Sequence, residues 1–171
     1  MDFRAILSAL ASGGVRFVVV GGVAAVLQGV SVHTYDVDVV HARDPENRRR
    51  LIEVLRKLEA HYRQHRTKRL VPKEEDLGLP GHHLLMTRFG PLDLLGSVKD
   101  KRTYEDLIER SPITDIGRGL RVNVLDLSVI IEMKEALGRD KDRAQLPEYR
   151  RTLEERSKLG GDAPGQSHEP S

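Results

Sequence analysis

The chain has 171 residues, 39% of them hydrophobic and 32% charged, a size and balance that fit one soluble globular domain. It has no cysteine, which excludes disulfides, thiolate metal sites and cysteine nucleophiles, and no stretch approaches the roughly 18 apolar residues of a membrane helix. The formal net charge of +2 selects no partner by itself, and without an apolar leader after Met1 a cytoplasmic location is expected.

Phe3, Ile6, Leu7 and Leu10 recur at helical spacing, and Gly13-Gly14 ends the helix they predict. Residues 15–20 form a short β-branched run, the pattern of a buried strand. Gly21-Gly22 then turns the chain into a short apolar helix over 23–27, and a second strand is predicted over 34–41. Asp44-Pro45 supplies an N-cap and a proline at the first helical position. The helix behind it turns Leu51, Ile52, Leu55 and Leu58 inward and most of its arginines outward. Residues 65–80 read as a polar connection. Strands at 84–88 and 91–95 flank Phe89-Gly90, a short helix covers 104–110, and strands at 113–116 and 120–125 flank Gly117-Arg118-Gly119. Asp126 caps a helix that Gly138 ends, and Asp140 begins a last helical stretch, kinked or restarted at Pro147. Residues 157–171 read as a disordered C-terminal tail. Strands interleaved with helices predict an α/β (α+β) domain over 1–156, built as a mixed β-sheet flanked by helices.

Aspartate is depleted in strands, so Asp36 and Asp38 within the predicted second strand need a reason. Side chains two apart on a strand share a face, which puts these like charges close together and favours a divalent cation between them. Asp93 lies in a similar apolar frame, Pro91-Leu92-Asp93-Leu94-Leu95. If its strand lies beside that of Asp36, three carboxylates converge on a site able to hold one or two metals against a phosphoryl group. Gly21-Gly22, between a buried strand and a helix start, would let a triphosphate approach the backbone. No Gly-x-x-x-x-Gly-Lys or Gly-x-Gly-x-x-Gly pattern occurs, so neither a P-loop nor a dinucleotide fold is indicated.

The doublet Gly21-Gly22, the pair Asp36-x-Asp38 and Asp93, each framed by apolar neighbours, resemble the signature of the DNA polymerase β-like nucleotidyltransferase superfamily. The stretches Thr34-Tyr35-Asp36-Val37-Asp38-Val39-Val40, Leu92-Asp93-Leu94-Leu95-Gly96 and Lys134-Glu135-Ala136-Leu137-Gly138-Arg139 are similar to its small bacterial branch, near AbiEii-type toxins and minimal nucleotidyltransferases. The resemblance runs over about 18–150. It implies the nucleotidyltransferase fold and transfer of a nucleoside monophosphate from an NTP, such as ATP, to an acceptor hydroxyl on tRNA, a protein or a small molecule. It implies Asp36, Asp38 and Asp93 as catalytic residues and ligands of two Mg2+ ions, with Mn2+ the alternative. It places Gly21 and Gly22 against the phosphates, Thr34 as an orienter of the acidic strand, and Lys134 on a phosphate. It also implies a cognate toxin or antitoxin protein as partner. Two departures stand out. The superfamily's more usual glycine-serine is Gly21-Gly22 here, and Val32 stands where relatives often carry arginine.

Other constellations carry less. His61 and His65 are four apart on what could be a helix, but no acid lies between them. His82-His83 cannot point the same way on a strand. The window 41–70 holds ten Lys or Arg against four acids, a surface that could receive a polyanion such as RNA but that a solvated helix face also explains. Two alternatives to the enzyme follow: a catalytically silent nucleotide- or partner-binding module of a toxin–antitoxin pair, and an RNA-binding protein using residues 48–69.

Overall fold

Four consecutive buried residues, Phe17–Val20, form β1 at the heart of a seven-stranded sheet. A strand buried on both faces reads as an unbroken apolar run, as this one does. The computed structural model describes residues 1–64 and 69–160. Along the chain, α1 (Phe3–Ser12) leads into β1, and α2 (Gly21–Leu27) follows at once. Then come β2 (Val37–His41), α3 (Pro45–Lys57), β3 (His61–Tyr62), β4 (His82–Thr87) and β5 (Gly90–Leu95). The short α4 (Tyr104–Leu107), β6 (Ile113–Asp115), β7 (Arg121–Val124), α5 (Leu127–Leu137) and α6 (Asp140–Gly160) complete the domain.

The strand order is β3-β4-β5-β2-β1-β7-β6. β1 pairs antiparallel with β2 and parallel with β7, and β2 pairs parallel with β5, so the sheet is mixed as expected. Within the core, Leu7 and Leu10 of α1, Leu51 and Leu55 of α3 and Ile130 of α5 are almost fully buried beside the valines of β1 and β2. No described helix is long and apolar enough to cross a membrane.

Besides shifts of one or two residues at element ends, the structure departs from the sequence reading as follows. β2 begins at Val37, not at 34. The neighbouring strand β1 stops at Val20, opposite Asp38, so residues 34–36 have no partner there, and Asp36 falls in a bend. His61 lies on a strand, because α3 ends at Lys57 and Glu59 takes a left-handed conformation (φ 55°) that swings the chain into pairing with Met86. Pro147 neither breaks nor restarts α6, whose buried Leu146 and Tyr149 anchor the helix on both sides of it. The last helix takes in Ser157, Lys158 and Leu159 and ends at Gly160; the rest of the expected tail, 161–171, and His65 lie outside the described residues.

One buried polar side chain pins β1 and β2 to α3. Asn47, fully buried, accepts from the Arg16 N–H (2.7 Å) and donates to the carbonyls of Arg16 (3.0 Å) and Ala42 (2.7 Å). Asn47→Ala takes the side-chain partner from the Arg16 N–H and leaves the Arg16 carbonyl with the Ala42 N–H and the Ala42 carbonyl with His41 Nδ1, and urea unfolding should show a loss of about 1–2 kcal/mol.

Candidate active site

Strand register brings the first two carboxylates together. Asp38 on β2 pairs with Asp93 on β5, and residues paired across adjacent strands share a face. Asp36, two residues upstream, joins them from the bend rather than from the strand. The Thr34 hydroxyl donates to the Asp36 carbonyl (3.1 Å) and fixes that bend. One carboxylate oxygen from each of Asp36, Asp38 and Asp93 lies within 4.8 Å of the others; among the described residues no other His, Asp or Glu group of this size gathers so closely.

Burial is the largest influence on Asp38, and the charges of Asp36 and Asp93 add to it, so its pKa is pushed up to about 7 although Arg63 and Lys141 pull the other way. Burial also raises Asp93, in part offset by Arg63, whose guanidinium donates to Asp93 Oδ1 at 2.7 Å. Three crowded carboxylates with one arginine between them are short of positive charge, and an all-oxygen donor set suits Mg2+ or Mn2+. The residues fit a divalent metal.

The glycine doublet is required by what faces it. Gly21 has φ +65°, and a side chain there would overlap Asp38 Oδ2. At Gly22 an added Cβ would stand 2.7 Å from Thr34 Oγ1, which explains why no serine occupies that turn.

Bases gather at the same site. Lys134 of α5 donates from Nζ to Asp142 Oδ1 (2.9 Å) and Gln145 Oε1 (3.0 Å), and lies 4.9 Å from the centre of the Tyr149 ring. Arg139 donates from Nε to the other Asp142 oxygen (2.5 Å). Burial works against the charge on Asp142, yet the hydrogen bonds from Arg139 and Lys134 prevail and hold its pKa below the ordinary 3.8. Acids and bases line one polar cavity of about 490 Å3, to which the sheet and its turns contribute Gly21, Gly22, Asp36, Asp38 and Asp93, and α5, α6 and the link between them contribute Lys134, Arg139 and Lys141. All seven residues expected from the sequence line this cavity, Thr34 included. Arg139, Lys141 and Gln145 were not expected there, nor was Arg63 expected on Asp93. The sequence hinted at two of them only, through Lys141 and Gln145, spaced four apart to share one helical face. The other histidine candidates stay apart from the polar cavity: His61 is on β3, and of His82 and His83 one is exposed and the other buried.

Three residues beyond Asp38, on the opposite face, His41 is 1% exposed, and burial pushes its pKa down to about 4. The two groups oppose each other in pH. Raised above its unfolded 3.8, Asp38 contributes stability that is full below pH 3.8 and lost as pH climbs through about 7 in metal-free buffer. Lowered from 6.5, His41 contributes stability that is full above pH 6.5 and lost as pH falls towards 4. Asp38→Asn removes one of the raised carboxyls that oppose the histidine. Its unfolding free energy should rise between pH 4 and 6.5 by on the order of 3 kcal/mol, more steeply than in the wild type. Equal slopes in the two proteins would exclude this account of Asp38.

No family model matches the chain, and no curated protein matches it in sequence. Solved structures do match. A proposed nucleotidyltransferase of Thermotoga maritima superposes with a TM-score of 0.52 at 21% identity, over 90% of this chain and 91% of the other. The antibiotic-resistance factor ANT(2'')-Ia, in its solution structure, gives 0.56 at 16% identity over 94% and 83%. Its crystal structure in complex with adenylyl-2''-tobramycin gives 0.58 at 16% identity over 92% and 91%. At these identities the likeness is one of architecture: the chain has the nucleotidyltransferase fold.

Proposed function

We propose that the protein is a divalent-metal-dependent nucleotidyltransferase that moves a nucleoside monophosphate from an NTP to an acceptor hydroxyl. The observation that carries this reading is one cavity lined by the cluster of Asp36, Asp38 and Asp93 and also by Lys134, Arg139 and Lys141. A triphosphate needs both: cations for its oxygens, and carboxylates to hold the metal that accompanies it.

Asp36, Asp38 and Asp93 would hold Mg2+, two ions at full occupancy, with Mn2+ the alternative. When bound, the metal neutralises triphosphate charge and makes the acceptor hydroxyl easier to deprotonate. The remaining work falls to the chain. Lys134 and Arg139 are held by Asp142 before any ligand arrives, so their positive charge need not reorganise when charge develops on the leaving pyrophosphate. Gly21 and Gly22 leave the backbone open to phosphate oxygens, and Thr34 fixes the bend that presents Asp36. Asp93 would take the acceptor proton.

The small bacterial branch, the toxin–antitoxin setting and the choice of ATP rest on the sequence motifs. One structural feature favours the silent binding module instead: Arg63 already neutralises Asp93.

Calorimetric titration of the four NTPs with Mg2+ tests both readings. The wild type should bind at least one NTP only when Mg2+ is present, and Asp36→Ala/Asp38→Ala should not bind it. NTP affinity that ignores Mg2+ and survives the double substitution would reject the enzyme and favour the module. Lys134→Gln should keep the fold and weaken NTP binding by about tenfold, the loss of one charged hydrogen bond.

A further inference from the structure

Behind the carboxylates lies a second cavity of about 240 Å3, continuous with the polar one through Gly21, Asp38, Asp93, Lys134 and Arg139. Its chemistry is different. Leu84 and Leu95 of the sheet, Val98 beyond it, and Ile130, Met133 and Leu137 of α5 make the walls apolar. The ionisable groups that reach it besides the shared ones are Lys99 and His82, and no acid enters other than Asp38 and Asp93.

We infer that this cavity is the acceptor site, and that the acceptor is a small alcohol with an apolar body, neutral or anionic. The inference rests on the nucleotidyltransferase reading above and names its second substrate. The triphosphate takes the polar cavity, because the cations and the open glycine backbone are there. An acceptor hydroxyl must reach the same carboxylates from another direction, and the apolar cavity touches Asp38 and Asp93 from its own side. At about 240 Å3 it lies below the roughly 300–1,000 Å3 of sites for drug-sized ligands, which suits a single ring or a short branched chain. A sugar or a nucleic-acid end would leave its hydroxyls unpaired against Leu84, Val98 and Ile130. A polycation would meet Lys99, Lys134 and Arg139 with no free acid beyond the carboxylates already engaged. In the reaction, the alcohol oxygen bonds to the α-phosphorus of the NTP as the bond from that phosphorus to the bridging oxygen breaks. Pyrophosphate leaves, and the alcohol proton passes to Asp93 and then to solvent.

Three probes share a phenyl body and differ in charge: 3-phenyllactate, 3-phenyl-1-propanol and phenylalaninol. Their binding to the full chain is measured by NMR titration, with and without Mg2+ and each NTP, and transfer is followed by mass spectrometry. Phenyllactate and phenylpropanol should bind, and phenylalaninol should bind at least about tenfold more weakly. Met133→Trp, at a half-buried position, should abolish probe binding while NTP binding stays as in the wild type. Lys99→Glu, at an exposed position, should cut the preference for phenyllactate over phenylpropanol by about two- to fivefold. Probe binding unchanged in Met133→Trp, no binding of any probe, or transfer to tRNA or tobramycin instead would overturn the inference. Because NTP binding is read separately, loss of the nucleotidyltransferase reading appears as absent NTP binding while the probes still report on the cavity.

Discussion

Two carboxylates on neighbouring strands, side by side in a partly dry cleft, are the constraint around which this molecule is arranged. Asp38 and Asp93 are paired in register, so neither can retreat from the other without breaking the sheet. In a medium of low dielectric their repulsion is far larger than in water. The protein answers it with neighbours. Gly21 gives up a side chain so that Asp38 Oδ2 has room, Arg63 leans onto Asp93, and Asp38 rests with a carboxyl that ionises only near neutrality. Left without a cation, the cluster is a source of instability that the fold tolerates. That tolerance is a reason to read it as a site.

The same logic places the bases. Asp142 is fully buried, an unfavourable place for a lone anion, and it persists because Lys134 and Arg139 both close on it. The pairing works in two directions. It satisfies a buried acid, and it anchors two long side chains that would otherwise sweep through many rotamers in front of the cleft. Acids on the sheet and cations held by the α5–α6 corner leave a polar channel between them.

The parts legible in the sequence are those set by local pattern. The apolar run before Gly21, the doublet itself, and Asp38 and Asp93 amid valine and leucine all announce a strand-borne site before any coordinate is known. Asp36 was read onto the strand because alternation puts residues two apart on one face. The structure reaches the same convergence differently, with Asp36 in a bend held by Thr34, because β1 has already ended where it would pair. Arg63 was illegible, since its partner is thirty residues away and the link is a tertiary contact with no local pattern. Arg139, Lys141 and Gln145 were missed for a related reason. Lys141 and Gln145 are spaced four apart on one helical face and Arg139 immediately precedes that helix, but only the docking of α6 on α5 decides that the face looks at the carboxylates.

The strand order has a consequence for how the molecule comes to be. β1 becomes central only when β7 arrives beside it, pairing Val18 with Asn123 across about a hundred residues of chain. The carboxylates come from β2 and β5, and their cationic counterparts from helices later still. Such distant pairings make folding slow, because each closes a long loop before it yields a contact. A chain emerging from its point of synthesis therefore carries its acids long before it carries the bases that face them. Until the last helix docks, the carboxylates on the interior strands β2 and β5 lack the cations that share their cavity, so the polar cavity is completed only at the end of folding.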